Sequence, residues 1–324
     1  PPKHKIGIRD RVANYYHSRL STIDGKAITD YLKKRGLELD DATLKKFRIG
    51  ISDRTLGLRI PHSRTIKGKA IRKQLKACGV FKPNGFEHLN GCITIPITNL
   101  QGETTQLYGR RIARCAKPDR HLYLARPQKG IFNGEILKPD PKGAKEIILC
   151  ESILDALTFY RHGMENVTCT YGTSNLSSEL IEAIKAAKIE TVKLAFDADK
   201  SGEEATTKVS EILQKLGIQV YQIKFPWESD ANQYAKDQGK NALQQSVRDA
   251  QIIDTQSQKN LELELPNKSQ KTSEDPSNES RAPSSFLAAK LAAEAAEFAA
   301  KGKNISLPAE TKTESKIELK QVGD

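Results

Sequence analysis

No apolar run in this 324-residue chain approaches the roughly 18 residues that a membrane-spanning helix needs. The opening Pro1-Pro-Lys-His-Lys carries no apolar signal region. Together these absences point to a cytoplasmic protein with no membrane partner. The chain also starts without an initiator Met, as expected of a fragment or a processed product. The five cysteines, Cys78, Cys92, Cys115, Cys150 and Cys169, are odd in number, widely spaced and form no CxxC pair. Neither a zinc ribbon nor a disulfide framework is supported by that spacing, so reduced thiols are expected. A Walker sequence for cradling nucleotide phosphates is also missing.

What is present is a lopsided charge. Residues 1–130 hold 28 Lys/Arg against 10 Asp/Glu, leaving 24 against 30 in the remainder of a chain whose net charge is +12. A basic front joined to an acidic rear suits an enzyme that grips a polyanion with one part and does chemistry on it with the other. The plainer alternative is a soluble domain with a basic surface.

Three regions follow from pattern and composition. Residues 1–140 read as a basic α+β subdomain. Its helices lie within 11–50, with Ile28, Tyr31 and Leu32 at helical spacing, a stop at Gly36, and Asp40 or Asp41 as a cap. Short strands are expected over 56–125, including a hairpin of Cys92–Ile97 and Thr104–Ile112 around Asn99-Leu-Gln-Gly102. Pro96 argues for an edge position or a bulge in the first of these strands. Residues 141–250 alternate strand and helix: strands at 146–150, 167–171, 191–196 and 219–225, helices near 152–162, 177–188, 202–216 and 230–238. That order predicts a mostly parallel sheet. Residues 251–324 read as a largely disordered tail. Within it, 285–301 is a helix candidate with a Leu287, Leu291, Ala295, Phe298 seam and a Glu297–Lys301 pair.

The chemistry concentrates where apolar runs end in acid. Ile147-Ile-Leu-Cys-Glu151 and Lys193-Leu-Ala-Phe-Asp-Ala-Asp199-Lys-Ser-Gly202 are each followed by a helical segment. Ligands bind at the carboxyl ends of parallel strands. If these two strands are neighbours, Glu151, Asp197 and Asp199 meet at one edge, where Mg²⁺ suits a cage of carboxylate oxygens. Asp155 lies one helical turn beyond Glu151. An EF-hand loop starting at Asp197 fails, because its twelfth position is Lys208 and a strand precedes it. Gly172 and Gly202 are expected where backbone turns or passes close to metal or phosphate. His121 and His162 are lone histidines without metal-ligand spacing, for which surface or packing roles are expected.

The glutamate after the first strand, the turn Tyr171-Gly172-Thr173 after the second and the Asp197/Asp199 pair after the third resemble a toprim domain. That metal-binding unit is shared by bacterial-type primases, type IA and II topoisomerases and some nucleases. Upstream, Tyr31–Leu37 with Phe47-Arg-Ile-Gly50, Ile93–Gly102 with Tyr108-Gly-Arg-Arg-Ile112, and Arg120-His-Leu-Tyr123 with Gly130–Gly134 resemble the catalytic core of a bacterial-type (DnaG-like) primase. The resemblance covers about residues 20–240. A typical member carries an N-terminal zinc ribbon that nothing here supplies, and the tail is unlike the usual helicase-binding domain. Both departures suit a mobile-element or phage-type version lacking the zinc site.

The resemblance implies an α/β toprim fold and a DNA primase joining ribonucleotides on single-stranded DNA with two Mg²⁺ or Mn²⁺ ions about 3.5–4 Å apart. Glu151, Asp197 and Asp199 become the catalytic and metal-holding residues, with Asp155 and Asp230 as further metal acids. Asp230 serves equally well as the cap of the following helix. Arg110, Arg111, Arg120 and Lys200 become the nucleic-acid or nucleotide contacts, arginine's planar fork matching phosphate. Single-stranded DNA and NTPs are the implied partners, with a replicative helicase or a mobile-element replication protein as candidate protein partner. The alternatives are another toprim enzyme of nuclease or topoisomerase type, and a non-catalytic single-stranded-DNA-binding accessory protein. A topoisomerase needs a large tyrosine-bearing domain for which little chain remains, and a toprim nuclease usually accompanies an ATPase.

Overall fold

The basic front half is built from four helices and a small sheet. Helices α1 (Ile8–Ser18), α2 (Ile23–Lys34) and α3 (Asp41–Lys46) come first. The start of α3 is set by Asp40, whose carboxylate accepts the Thr43 N–H at 2.8 Å. Strand β1 (Gly50–Ser52) follows, then α4 (Ile66–Ala77), opened by the Thr65 hydroxyl accepting from Gly68 N at 3.0 Å. Helix α4 corrects the expectation of strands alone over 56–125. Its apolar positions are diluted by lysine and arginine, and it is the burial of Leu75 against the sheet that gives it an inward face.

Strands β2 (Cys92–Thr98), β3 (Thr104–Arg111) and β4 (His121–Tyr123) complete an antiparallel sheet in the order β1-β2-β3-β4. The expected hairpin is β2–β3. Strand β1 pairs with β2 only as far as Thr94, so Pro96 faces a partner, Leu107, on the β3 side alone. A register shift follows at Ile97/Thr98. Both devices that tolerate a proline in a strand are therefore present next to it.

The second half alternates β5 (Glu146–Cys150), α5 (Ile153–Arg161), β6 (Val167–Cys169), α6 (Ser178–Ala186), β7 (Thr191–Ala195), α7 (Lys200–Gln214), β8 (Gln219–Gln222), α8 (Ala231–Arg248) and β9 (Gln251–Ile252). The sheet order is β6-β5-β7-β8-β9, parallel except for β9. Strand β9 occupies the start of the region read as disordered. Helix α8 breaks at Gly239, whose backbone (φ 83°) is not helical, so its first segment ends at the expected 238 and a second helical segment continues to Arg248.

The computed structural model describes residues 6–254 apart from 114–119, 126–128, 141 and 173–175. The expected disordered tail from residue 255 onward, with its helix at 285–301, lies outside the described residues, as do Cys115 and Thr173. No described helix is long and apolar enough to cross a membrane. Cys78, Cys150 and Cys169 are free thiols.

One buried cluster joins the two sheets. Ile28, Leu32 and Phe47 from the front half, with Ile93, Ile95 and Phe132, pack on Ile148, Ile153, Leu157 and Phe159 of the second. Phe47 stacks on Phe132 and meets Tyr160 edge-on, both at 4.8 Å between ring centroids. This shared core fixes the basic sheet against the half that carries the acidic strand ends, a relation that the site depends on.

Candidate active site

Strands β5 and β7 are direct parallel neighbours, with Cys150 opposite Ala195. The chain therefore leaves both at one level, and Glu151 and Asp197 emerge side by side at the carboxyl edge. Asp199 caps α7, accepting from Gly202 N at 2.8 Å. A Cβ on Gly202 would lie 2.0 Å from the Asp197 carbonyl oxygen, so this turn closes only with glycine. Gly172, at φ 119°, carries the chain away from β6 while its N–H donates to the Glu151 carbonyl at 3.0 Å.

Asp155 lies in the first turn of α5 and is only 4% exposed. Its carboxylate accepts from Ser152 Oγ at 2.6 Å and from Asn232 N at 3.3 Å. Asp230 caps α8, accepting from Gln233 N at 2.6 Å, and lies 4.0 Å from the Arg35 guanidinium.

These acids sense one another. Burial, then the charge of Asp155, pushes Glu151 up to about 7, against one hydrogen bond from the Asp197 backbone. Burial, followed by the charges of Asp230 and Asp197, raises Asp155 to about 7. Asp197 also rises to about 7, through burial and then through Glu151, Asp230 and Asp199. Carboxylates left buried near like charge without a cation behave in this way.

Among the described residues no three acids converge tightly enough to cage an ion as they stand. The donor set nevertheless fits a hard divalent cation. All five candidate side chains offer oxygen, and Glu151 Oε2 is buried without a hydrogen-bond partner. An orphaned carboxylate oxygen among repelling acids is the feature that a bound cation would resolve.

A basic wall is linked to these acids through Arg35, which lies 4.0 Å from Asp230 and whose charge bears on His121. Arg110, from β3, is 7% exposed, and its Nε donates to the Tyr31 hydroxyl at 3.2 Å. Its Nη1 donates to His121 Nε2 on β4. A guanidinium has no acceptor, so Nε2 must accept and the ring proton sits on Nδ1, 3.0 Å from the Tyr108 hydroxyl. Burial, then the charges of Arg110, Arg35 and Arg120, holds His121 down at about 4, although one edge of the residue stays open to solvent. His121 is thus surface-exposed and packs on this wall, in keeping with the surface or packing role expected of it. His162 lies elsewhere, buried at the end of α5.

Arg111 is half-buried and lines a groove of about 400 Å³ with Arg54, Lys82, Phe86 and His88. Arg120 is half-buried beside β4, its carbonyl accepting from Arg111 N at 3.0 Å. Lys200 is exposed at the first position of α7.

Three residues of this cleft were not singled out as site residues from the sequence: Tyr31 and Arg35, within the Tyr31–Leu37 stretch that resembles the primase core, and Asn232. Asn232 is 3% exposed and knits the halves together. Its Nδ2 donates to the Arg35 carbonyl and to Thr158 Oγ1, both at 3.0 Å, and its Oδ1 accepts from Arg35 Nε at 3.1 Å. These residues are 197 positions apart, and an asparagine two places after a candidate acid was the only local signal.

Residues 15–137 match a family model described as the DNA primase catalytic core, N-terminal domain, and residues 148–235 match a Toprim-like model. A DNA primase of Staphylococcus aureus is 27% identical over 244 residues, covering 72% of this chain and 39% of the relative. One of Clostridium acetobutylicum is 26% identical over 176 residues, covering 52% and 28%. The chain therefore spans about two fifths or less of the length of these curated relatives. Among solved structures, the E. coli primase catalytic core superposes with a TM-score of 0.65 at 17% identity, covering 79% of this chain and 83% of that one. A DnaG primase catalytic domain bound to ssDNA gives 0.61 at 18% identity, covering 75% and 80%. At these identities the structural likeness is one of fold.

Proposed function

We propose that this chain, whose residues 15–137 and 148–235 make up a DnaG-type primase catalytic core, synthesises short RNA primers on single-stranded DNA by metal-dependent nucleotidyl transfer. The observation that carries the reading is the meeting of Glu151 and the Asp197/Asp199 turn on neighbouring parallel strands, with an orphaned Glu151 oxygen between them. The relative bound to ssDNA supports the choice of template, and the basic wall linked to the acids through Arg35 supports a polyanionic substrate.

Glu151, Asp197 and Asp199 would hold the divalent ions, with Asp155 and Asp230 behind them. Mg²⁺ or Mn²⁺ bound there supplies neutralisation of phosphate charge and activation of the attacking hydroxyl. The chain's own residues orient the reactants. The Gly202 turn holds the two aspartates at the head of α7. Lys200, Arg111 and Arg120 meet phosphates of template or nucleotide. Arg110 presents the basic wall, fixed between Tyr31 and His121. A mobile-element or phage setting, with a replication protein as partner, is the finer part of the same proposal.

The test is direct synthesis. Protein, Mg²⁺ or Mn²⁺, labelled NTPs and a single-stranded template should yield short RNA, and Asp197→Asn with Asp199→Asn should abolish it while the circular dichroism spectrum and melting profile remain those of a folded protein. Synthesis by the double variant at the wild-type rate would remove the metal-site assignment.

A further inference from the structure

We propose that Trp227 is a nucleobase-stacking platform at the rim of the candidate active site. It would take the flat face of a base, either from a single-stranded DNA strand or from an incoming nucleotide. The inference rests on the polynucleotide-handling reading above and adds to it the residue that meets the base.

Trp227 is the only tryptophan of the chain and is 62% exposed, whereas Tyr16, Tyr108, Phe132 and Phe159 are all buried. Phe86, at 69%, is exposed as well, and an exposed aromatic needs no explanation by itself. What marks this one is its mounting. It sits between β8 and α8 in a turn closed by Ser229 N donating to the Pro226 carbonyl at 3.1 Å. Two backbone hydrogen bonds then fasten this turn to Ala198, the residue between Asp197 and Asp199. Glu228 N donates to the Ala198 carbonyl at 2.7 Å, and Ala198 N donates to the Ser229 carbonyl at 2.9 Å. The peptide that bears Trp227 is thus bonded straight to the turn that carries the candidate metal acids.

The mounting is also held from below. Phe225 packs against Tyr234 at 5.5 Å between centroids, and Glu228 adopts a left-handed φ of 61° that turns the chain sharply after Trp227. Asp230 then caps α8. A ring carried on a backbone tied at both ends loses little conformational freedom on stacking, so more of the stacking energy appears as affinity.

The surroundings suit a nucleotide better than a protein or a lipid. Lys224, Pro226 and Glu228, its exposed neighbours in the chain, include no second large apolar side chain. Lys200 is exposed next to Asp199 on the turn to which this loop is bonded. A base face on the indole, with its phosphates toward the acids and Lys200, combines the stacking and electrostatic elements of single-strand recognition. Every base offers a π-face, so this contact would tolerate any sequence.

Being unique, Trp227 reports on itself. The experiment follows its emission, with excitation at the red edge of indole absorption, as the full chain is titrated in two arms. One uses an unlabelled oligodeoxythymidylate; the other uses NTP with Mg²⁺. Binding of a dye-labelled copy of the oligonucleotide is followed in parallel by anisotropy. Saturable quenching and protection from acrylamide are expected in at least one arm, and the responding arm identifies the source of the base. Trp227→Ala should weaken binding of that ligand about 5- to 150-fold, the worth of one base–aromatic stack. Trp227→Phe should stay within about threefold of wild type, since a phenyl ring also offers a π-face. The exposed position predicts unchanged melting for both variants. Normal oligonucleotide binding by anisotropy, with silent emission in both arms and an unaffected alanine variant, overturns the platform and leaves the primase reading standing. No binding of either ligand overturns both.

Discussion

Glu151, Asp155 and Asp197 keep protons at a pH where carboxylates in an unfolded chain have lost theirs. Each is raised to about 7, from a usual value near 4, by burial and by its acidic neighbours. Between about pH 4 and 7 the folded state therefore binds more protons than the unfolded one, and stability falls as pH rises through that window. Without divalent ions, the melting temperature should climb by a few degrees between pH 8 and pH 6. Millimolar Mg²⁺ at pH 8 should recover much of that gain, and a thermal-shift series in EDTA against Mg²⁺ checks both arms. A flat profile in EDTA would mean that the acids do not burden the fold. Glu151→Gln keeps the shape and removes the charge, so primer synthesis should fall by orders of magnitude. The salt dependence of DNA binding, measured by anisotropy, should stay unchanged. At this scale Glu151 and Asp197 could be read from the chain because each follows an apolar run that ends abruptly, and Asp155 because it lies one helical turn beyond Glu151. Arg35 and Asn232 could not, since their importance is a contact made across 197 positions.

Elements were legible wherever pattern and period agreed. Strand β5, the β7–α7 unit and the β2–β3 hairpin stand where alternation and turn residues put them, to within a few residues. Helix α4 escaped because lysine and arginine separate its few apolar positions, and β9 because two residues carry no periodicity. The end expected at 238 falls at the Gly239 break, and it is the second helical segment, up to Arg248, that the pattern did not mark. Turn β7–α7 gives the sharpest prediction at this scale. Gly202→Ala would thrust a Cβ to 2.0 Å from the Asp197 carbonyl, too close for the turn and the helix start to coexist. The turn must open, at a cost of about 1–3 kcal/mol typical of overpacking. Activity should drop far more than stability does, because both aspartates move; melting and primer synthesis measured on the same preparation would show it. A variant with full activity would show that the turn has room to give.

Across the whole molecule, the division into a basic front and an acidic rear was readable from charge counts, but its consequence was not. The shared core of Phe47, Phe132 and Tyr160 holds the two halves together, and Arg35 links the basic side to the acids, lying 4.0 Å from Asp230 while its charge also bears on His121. That arrangement sorts the arginines by task. Arg110, buried and bonded to Tyr31 and His121, holds the wall together, and its removal is expected to loosen the cleft. Arg111 and Arg120 are only half-buried and so remain reachable by a strand. If both touch backbone phosphates, affinity for single-stranded DNA falls with salt by about 0.7 log units per log of salt for each contact. Arg111→Ala with Arg120→Ala should then weaken binding at low salt and flatten the slope by about 1.4 units, read from anisotropy titrations over a range of KCl. Weaker binding with an unchanged slope would mean that these arginines shape the groove without touching phosphate. The strand would then be expected to run along the exposed lysines of α2 and α3, Lys33, Lys34, Lys45 and Lys46, of which Lys33 is already engaged by Glu38 at 3.0 Å and Lys46 by Glu135 at 2.7 Å.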